Sequence, residues 1–273
     1  MYHPLDAKYL YCAYKLTMQF LDENGQERGP FSGTCFFIKS KPHPFLITNR
    51  HNVDAGYSDS RKSGWSLKSL QVSGYDGEWN RFSGEIVEYI MPIYPSVRDE
   101  DVAVLVPMKL VTGDGRTDDL SPISIDRNVL APEAFFNDIF ASDLVVFPGF
   151  PEWHDVHSVR PIMRSGIISS DPRTDYTGPS MTPGARRIAF EALSFEGSSG
   201  SPVFSLPYGI RLGAGLSGKG MREAHLIGIN LGHSKDQGSG LHSGISRMIK
   251  STVILELIGI MEQFLGVSVV EYP

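Results

Sequence analysis

Cysteine is scarce in this sequence, and the two that are present do not form a framework. Cys12 and Cys35 are the only cysteines in 273 residues, and each lies in an apolar run with the character of a β-strand. A disulfide framework needs more cysteines, and a metal site needs further ligands at close spacing, which neither cysteine has. We therefore expect two buried, reduced thiols and no metal.

Positive charge is not in excess either. The formal net charge is −6, so the chain has no excess of positive charge that would attract nucleic acid or an anionic membrane surface. The basic pair Arg186–Arg187 is predicted to be solvated surface. Neither nucleic acid nor a membrane is therefore an expected partner.

Long hydrophobic runs are also missing. The most apolar segment, residues 253–270, is interrupted by Glu256 and Glu262 and does not have the pattern of a membrane span. The first twelve residues lack the basic start and apolar core of a secretory signal. These features predict a protein that remains in the cytoplasm, or a secreted one if a leader has been removed.

Glycine and proline, in contrast, are abundant and evenly spread. The 28 glycines and 18 prolines divide the chain into short runs that are rich in β-branched and aromatic residues, which is typical of many short strands. The polar stretch Thr112–Asn128 separates two groups of such strands. We expect one all-β unit over 1–273, made of two packed six-stranded β-barrels over 8–111 and 137–245 with a linker over 112–136.

The end of the chain has a different periodicity. Apolar residues recur every three or four positions between residues 249 and 264, which places them on one face of a helix. This spacing predicts a C-terminal amphipathic α-helix over 246–265.

The motif with the clearest chemistry is GSSGSP, residues 197–202. Acyl transfer on a loop needs a nucleophilic hydroxyl, small neighbours, and backbone N–H groups that stabilise an oxyanion. Ser199 offers the hydroxyl, while Gly197 and Gly200 offer the backbone freedom. A flexible linker has a similar composition, but the apolar flanks and Pro202 favour a structured loop.

Two further residues follow or precede predicted strands in a way that suits catalysis. His51 lies just after the apolar run 44–48, where an imidazole would be held in a fixed orientation. Asp101 enters the apolar run 102–105, where a buried carboxylate could accept a hydrogen bond from an imidazole. Taken singly, each has an ordinary explanation: a structural histidine and a turn carboxylate.

Together, the three motifs resemble those of the trypsin/chymotrypsin-like serine peptidases, including the HtrA-like branch. The sequence runs in the order His51, Asp101, Ser199, and the motifs TNRH, DVAV and GSSGSP that carry these residues match the family's patterns. The likeness extends loosely over residues 30–265. It implies a chymotrypsin-like fold, because the acid precedes the linker and the serine lies in the second group of strands.

The resemblance also implies an activity, that of a serine endopeptidase acting on polypeptides through an acyl-enzyme. Ser199 would be the nucleophile, His51 the general base, and Asp101 the residue that orients the histidine. The N–H groups of Gly197 and Ser199 would form the oxyanion hole. No cofactor is implied.

A substrate-binding pocket can be assigned from the same likeness. Its members would be Leu193, Asn230, Gly232 and Gly240. An apolar base with small walls favours a large apolar side chain, although the nearby His233 and His242 leave acidic specificity open.

The sequence departs from the secreted members of the family at two positions. Ser198 stands where zymogen-type members have an aspartate that pairs with a newly cut N-terminus, so we expect no activation by N-terminal processing. Asn52 stands where secreted members have a cysteine, which suits a reducing compartment.

Two alternatives to a constitutive peptidase remain open. The first is a catalytically silent or partner-activated protein-binding module on the same fold, whose activating protein is unknown. The second is an esterase that uses the same three residues. An α/β-hydrolase is disfavoured, because its chain order is Ser, Asp, His.

Overall fold

Strands dominate the computed structural model, which describes residues 2–41, 43–113, 115, 117–118, 121–178, 181–209, 211–212, 216–217, 221–235 and 242–266. The strands of the first half are β1 (Ala13–Leu21), β2 (Glu27–Ile38), β3 (Phe45–Thr48), β4 (Ser66–Tyr75), β5 (Arg81–Ile93), β6 (Ala103–Thr112) and β7 (Thr117–Asp118). The strands of the second half are β8 (Leu144–Gly149), β9 (Ile162–Ile168), β10 (Arg187–Glu191), β11 (Pro202–Ser205), β12 (Arg211–Leu212), β13 (Leu216–Ser217), β14 (His225–Lys235) and β15 (His242–Lys250). The helices are α1 (Lys8–Tyr11), α2 (Arg50–Val53), α3 (Ala55–Ser58) and α4 (Ser251–Leu265).

The first barrel is closed by strands from its two ends. Its sheet has the order β3-β2-β1-β4-β5-β6-β7, and β3 also pairs with β6. In β1, buried residues such as Leu16 and Met18 alternate with half-buried ones, because successive side chains of a strand point to opposite faces. The inward-facing set forms the core of this barrel.

The second barrel is also closed, with the order β10-β15-β14-β11-β8-β9. Its core contains aromatic residues from the two strands that flank β9, Phe147 on β8 and Phe190 on β10, whose rings meet nearly edge to face. The predicted fold of two six-stranded barrels with a C-terminal helix is confirmed.

The predicted start of the C-terminal helix was wrong. The helix begins at Ser251 rather than at Ser246, because residues 246–250 complete β15, where Ile249 pairs with Ile229 of β14. Both faces of this part of β15 are covered: Met248 packs in the core of the second barrel, while Ile249 points to the opposite face and packs in the cluster that contains Val253 of α4. The helix ends at Gly266, which adopts the left-handed conformation with φ +64°.

One apolar cluster joins both barrels and the helix. It includes Ile47 and Val104 from the first barrel, Phe204 from the second, and Val253 and Leu257 from α4. The helix therefore helps to hold the barrels in a fixed relation, which matters because the candidate site draws residues from both.

Cys12 belongs to this apolar cluster, and Cys35 belongs to the core of the first barrel. Cys12 and Cys35 are both buried and free, as predicted. In the part of the chain that the structure describes, no helix has the length and apolar character needed to cross a membrane.

Candidate active site

The pairing of β3 with β6 brings His51 and Asp101 together. Thr48 at the end of β3 lies opposite Ala103 at the start of β6, so the residues just beyond these ends are neighbours. His51 Nδ1 lies 2.5 Å from Asp101 Oδ2, and the His51 backbone N–H donates to Asp101 Oδ1 at 3.0 Å. Asn49 donates from its side chain to the Asp101 carbonyl at 2.7 Å, which fixes the backbone of the acid.

The environment of His51 shifts its protonation. Burial lowers the pKa of His51, but the charge of Asp101 and the hydrogen bond to it outweigh burial, and the net pKa lies above its usual value. The carboxylate therefore stabilises the protonated form of His51. A residue that acts as a general base needs this stabilisation, because it must accept a proton.

Ser199 lines the same cleft as His51. The cleft has a volume of about 740 Å³, and Ser199, His51 and Gly197 all contribute to its wall. The Ser199 hydroxyl donates to the Leu231 carbonyl at 3.5 Å, a length at which a hydrogen bond is weak. Among the contacts of the described residues, no hydrogen bond joins Ser199 Oγ to His51, although such bonds are often long before substrate binds.

Two glycines shape the loop around Ser199. Gly197 has φ +85°, and a Cβ there would lie 2.2 Å from the Phe150 carbonyl oxygen; Gly200 has φ +93°, and its Cβ would lie 1.9 Å from that of Thr34. Only glycine fits at either position. The N–H groups of Gly197 and Ser199 donate to no backbone acceptor within the described ranges.

No protein-family model and no curated protein matches the sequence. Solved structures do match. The HtrA-type protease AlgW with a decapeptide aligns over 94% of this chain and 66% of its own, at 16% identity and a TM-score of 0.53. A variant of AlgW, also with a decapeptide, aligns over 93% of this chain and 64% of its own, at 16% identity and a TM-score of 0.54. This chain has the chymotrypsin-like fold. It spans about two thirds of the length of those proteases.

In this chymotrypsin-like fold, Thr34 of the first barrel supports the Ser199 loop, a role that sequence reasoning missed. Its backbone N–H donates to the Ser199 carbonyl at 2.8 Å, and its hydroxyl donates to the Gly197 carbonyl at 2.7 Å. The same hydroxyl accepts from the Phe150 N–H at 3.1 Å. Thr34 is one of two hydroxyl residues in the run FSGTCFF, and nothing in the local sequence singles it out.

Asn52 supports the same loop from the helix that carries His51. Its amide donates to the Thr48 hydroxyl at 2.9 Å and to the Ser199 carbonyl at 3.4 Å. Asn52 thus links the histidine segment to the serine segment.

Asn230 occupies a different place from the one predicted. We expected it in the substrate pocket, but it is fully buried, and its amide donates to Ser194 Oγ at 3.1 Å and to the Ser198 carbonyl at 2.9 Å. Its carbonyl accepts from the Gly200 N–H at 3.0 Å. Asn230 therefore braces the Ser199 loop from behind.

The other residues predicted for the substrate pocket are Leu193, Gly232 and Gly240. Leu193 is 58% exposed, and its carbonyl accepts from Arg164 at 3.1 Å. Gly232 lies beside the nucleophile candidate, since a Cβ there would be 3.6 Å from Ser199 Oγ. Gly240 and the side chains of His233 and His242 lie outside the described residues.

The predicted surface arginines are instead paired at the acid loop. Arg186 forms a two-pronged ion pair with the buried Glu100, at 2.7 and 2.8 Å, and contacts Glu256 of α4 at 2.7 Å. Arg187 is buried and pairs with Asp99 at 3.2 Å. These pairs tie the two residues before Asp101 to the second barrel. The expectation of a solvated surface pair was wrong, because the sequence did not reveal that Asp99 and Glu100 face these arginines.

Metal ligands do not cluster in the parts of the chain that the structure describes. No group of three or more histidine, cysteine, aspartate or glutamate side chains there could hold a metal ion. The reactive groups that the described residues bring to the cleft are the Ser199 hydroxyl and the His51 imidazole, which the Asp101 carboxylate contacts.

Proposed function

We propose that this protein is a serine endopeptidase that cleaves polypeptides through an acyl-enzyme intermediate. The proposal rests mainly on one observation: His51 is hydrogen-bonded to Asp101 and lines the same cleft as Ser199. The chymotrypsin-like fold supports it, because His51 and Asp101 adjoin strands of the first barrel, Ser199 adjoins β11 of the second, and Thr34 of the first barrel is hydrogen-bonded to Ser199. The decapeptide held by the AlgW protease supports a polypeptide as substrate.

The mechanism follows from the roles that these groups can take. Ser199 Oγ attacks the carbonyl carbon of the scissile peptide bond while His51 Nε2 accepts the hydroxyl proton. His51 then donates this proton to the leaving amine, and the C–N bond breaks to give the acyl-enzyme. A water molecule, deprotonated by His51, attacks the ester carbon; the bond from this carbon to Ser199 Oγ then breaks, His51 returns the proton to Ser199, and the acyl half leaves as a carboxylic acid. Asp101 holds Nδ1 and stabilises the imidazolium in both halves.

Backbone donors supply the remaining electrostatic stabilisation. The N–H groups of Gly197 and Ser199 stabilise the oxyanion of the tetrahedral intermediate, where preorganised donors have their largest effect. The forced conformations of Gly197 and Gly200 hold these groups in position. No step uses a metal or an organic cofactor.

Activation does not depend on cutting the N-terminus. Ser198, which precedes the nucleophile, is buried and carries no charge that could pair with a new α-amino group. Asn230, Thr34 and Asn52 instead support the loop from within the folded chain. Activity that arises only after N-terminal trimming would contradict this part of the proposal.

The partner-activated alternative has one observation in its favour. Ser199 donates weakly to Leu231 rather than to His51, so the hydroxyl must rotate before His51 can accept its proton. If a partner is needed for that rotation, the resting protein will be unreactive and a binding partner will restore reactivity.

Labelling with a fluorophosphonate probe tests the proposal. The folded protein should be modified at Ser199, as located by mass spectrometry of the labelled peptide, and the Ser199→Ala variant should not be. Absence of labelling in a folded wild-type protein would reject constitutive catalysis and favour the partner-activated module. A panel of matched peptide and ester substrates then separates a peptidase from an esterase.

A further inference from the structure

The first barrel contributes an aromatic wall to the cleft that His51 and Ser199 border. Phe20 packs between Phe31 and Trp65, with ring centroids 6.0 Å and 6.5 Å away. All three residues line the cleft. We call them the aromatic wall.

The aromatic wall presents apolar surface to the cleft, and Lys62 contacts two of its rings. Phe20 is buried, Trp65 is half-buried, and Phe31 is 40% exposed. The Lys62 ammonium lies 5.9 Å from the Phe31 ring centroid and 5.2 Å from that of Trp65, so it bridges two rings of the wall. Cation–π attraction therefore links Phe31 and Trp65 through the side chain of Lys62.

The position of the wall relative to the reacting bond follows from proton transfer. His51 must deliver its proton to the leaving amine, so the leaving half of the substrate lies on the His51 side of Ser199. The cleft extends on that side, because its wall includes Ala55 and Ser58 from the segment after His51. Leu231 and Gly232 of β14 lie next to the Ser199 hydroxyl but do not line the cleft.

The charged residues of the cleft do not favour a substrate of either charge, so we expect its selectivity to come from apolar contact. Two lysines, Lys15 and Lys62, and two glutamates, Glu152 and Glu196, line it, and their formal charges cancel. A volume of about 740 Å³ is ample for a bulky side chain and the backbone on either side of it.

We propose that the aromatic wall binds a large apolar or aromatic side chain from the leaving half of the substrate, within the first three residues after the scissile bond. This inference rests on the proposed peptidase activity and adds a specificity site to it. Trp65 and Phe31 are the specificity-determining residues, because they combine contact with the cleft and accessible ring surface.

Internally quenched peptides test the inference. In one series, Phe, Ala, Asp or Lys is placed in turn at each of the first three positions after the scissile bond. The wild type should cleave a Phe peptide about tenfold to hundredfold faster in kcat/KM than the Ala peptide at one of these positions, as expected for burial of one large apolar side chain. Trp65→Ala should remove most of this preference, and Trp65→Phe should retain part of it. Phe140→Ala, which alters an exposed aromatic residue that does not line the cleft, should leave it unchanged.

A second substrate separates failure of the inference from failure of the proposed function. A peptidyl methyl ester has only methanol as its leaving half, so Trp65→Ala should hydrolyse it at the wild-type rate if the wall acts only on the leaving half. Equal cleavage of Phe and Ala peptides by a wild type that hydrolyses the ester would overturn the inference alone. Absence of both ester hydrolysis and Ser199 labelling would overturn the proposed function and this inference with it.

Discussion

His51 binds the Asp101 carboxylate twice, through its ring at 2.5 Å and through its own backbone N–H at 3.0 Å. The two contacts use different carboxylate oxygens, so the acid fixes both the position of the His51 backbone and the orientation of its ring. This arrangement makes Asp101 sensitive to replacement even by an isosteric residue, because an amide cannot accept with both of its polar atoms.

Asp101→Asn should therefore lower kcat by about 10⁴-fold while the fold is retained, because the amide favours the wrong imidazole tautomer. Asp126→Asn is a matched control, since Asp126 forms an exposed ion pair with Lys39 at 3.5 Å. Steady-state kinetics and circular dichroism of both variants check the prediction. A kcat for Asp101→Asn within tenfold of the wild type would remove Asp101 from the proposed mechanism.

The pH dependence of activity should reflect the raised pKa of His51. Catalysis requires the neutral imidazole, so kcat/KM should rise with pH and reach half its maximum above about pH 6.5, the ordinary histidine value. In Asp101→Asn the effects that raise the pKa are removed and burial remains, so the midpoint of any residual activity should move to lower pH. A midpoint that does not move would contradict the assignment.

The same shift has a consequence for stability. Because the folded-state pKa of His51 is raised, the pair contributes stability that is fully present below the unfolded pKa and is lost as pH rises through the folded one. The difference in free energy of unfolding between the wild type and Asp101→Asn should thus be larger below about pH 6 than at pH 9, as urea titrations at the two pH values would measure.

Gly200 gives a test of the Ser199 loop that does not touch a reacting group. Gly200→Ala should abolish fluorophosphonate labelling, because its Cβ would meet the Thr34 carbonyl oxygen at 1.9 Å. Gly184→Ala is the control: Gly184 has nearly the same φ, +96° against +93°, but no atom lies within 4 Å of its Cβ. The control should cost only the backbone strain of about 1–2 kcal/mol and retain labelling. Loss of labelling in both variants would mean that strain, not the close approach of the barrels, explains the effect.

The fold and the candidate triad could be predicted from the sequence because they depend on local patterns. Short apolar runs between glycines and prolines indicated strands, and the motifs around His51, Asp101 and Ser199 each combine a polar residue with a strand end or a glycine-bounded turn. In the structure, His51 lies next to Asp101 and on the same cleft as Ser199.

The supporting residues could not be predicted, because their roles depend on contacts between distant segments. Thr34 contacts Gly197 from a separation of 163 positions, and Asn230 contacts Ser198 from 32. Nothing in the local sequence distinguishes either from an ordinary polar residue in a strand. The helix start was missed for a related reason: Ile249 satisfies the strand and helix periodicities at once.

Arg186 is the residue whose replacement best tests the link between the acid loop and the second barrel. The Glu100 side chain is completely buried, and its two carboxylate oxygens accept hydrogen bonds from Nε and Nη2 of Arg186. Asp101 follows Glu100 directly in the chain. Arg186→Met would leave a buried carboxylate without its partner, which should lower the free energy of unfolding by about 3–5 kcal/mol. It should also lower kcat, because the loop that carries Asp101 loses its anchor.

A matched control separates this effect from the loss of any arginine. Arg173→Met removes a guanidinium that also pairs closely with an acid, Asp171 at 2.7 Å, but both partners are largely exposed. Exposed pairs contribute little, so stability and kcat should stay near those of the wild type. The double variant Arg186→Met with Glu100→Leu removes the unpaired charge and should recover part of the stability. If kcat does not recover with it, the ion pair positions Asp101 as well as stabilising the fold; if neither recovers, burial of Glu100 is not what makes Arg186 necessary.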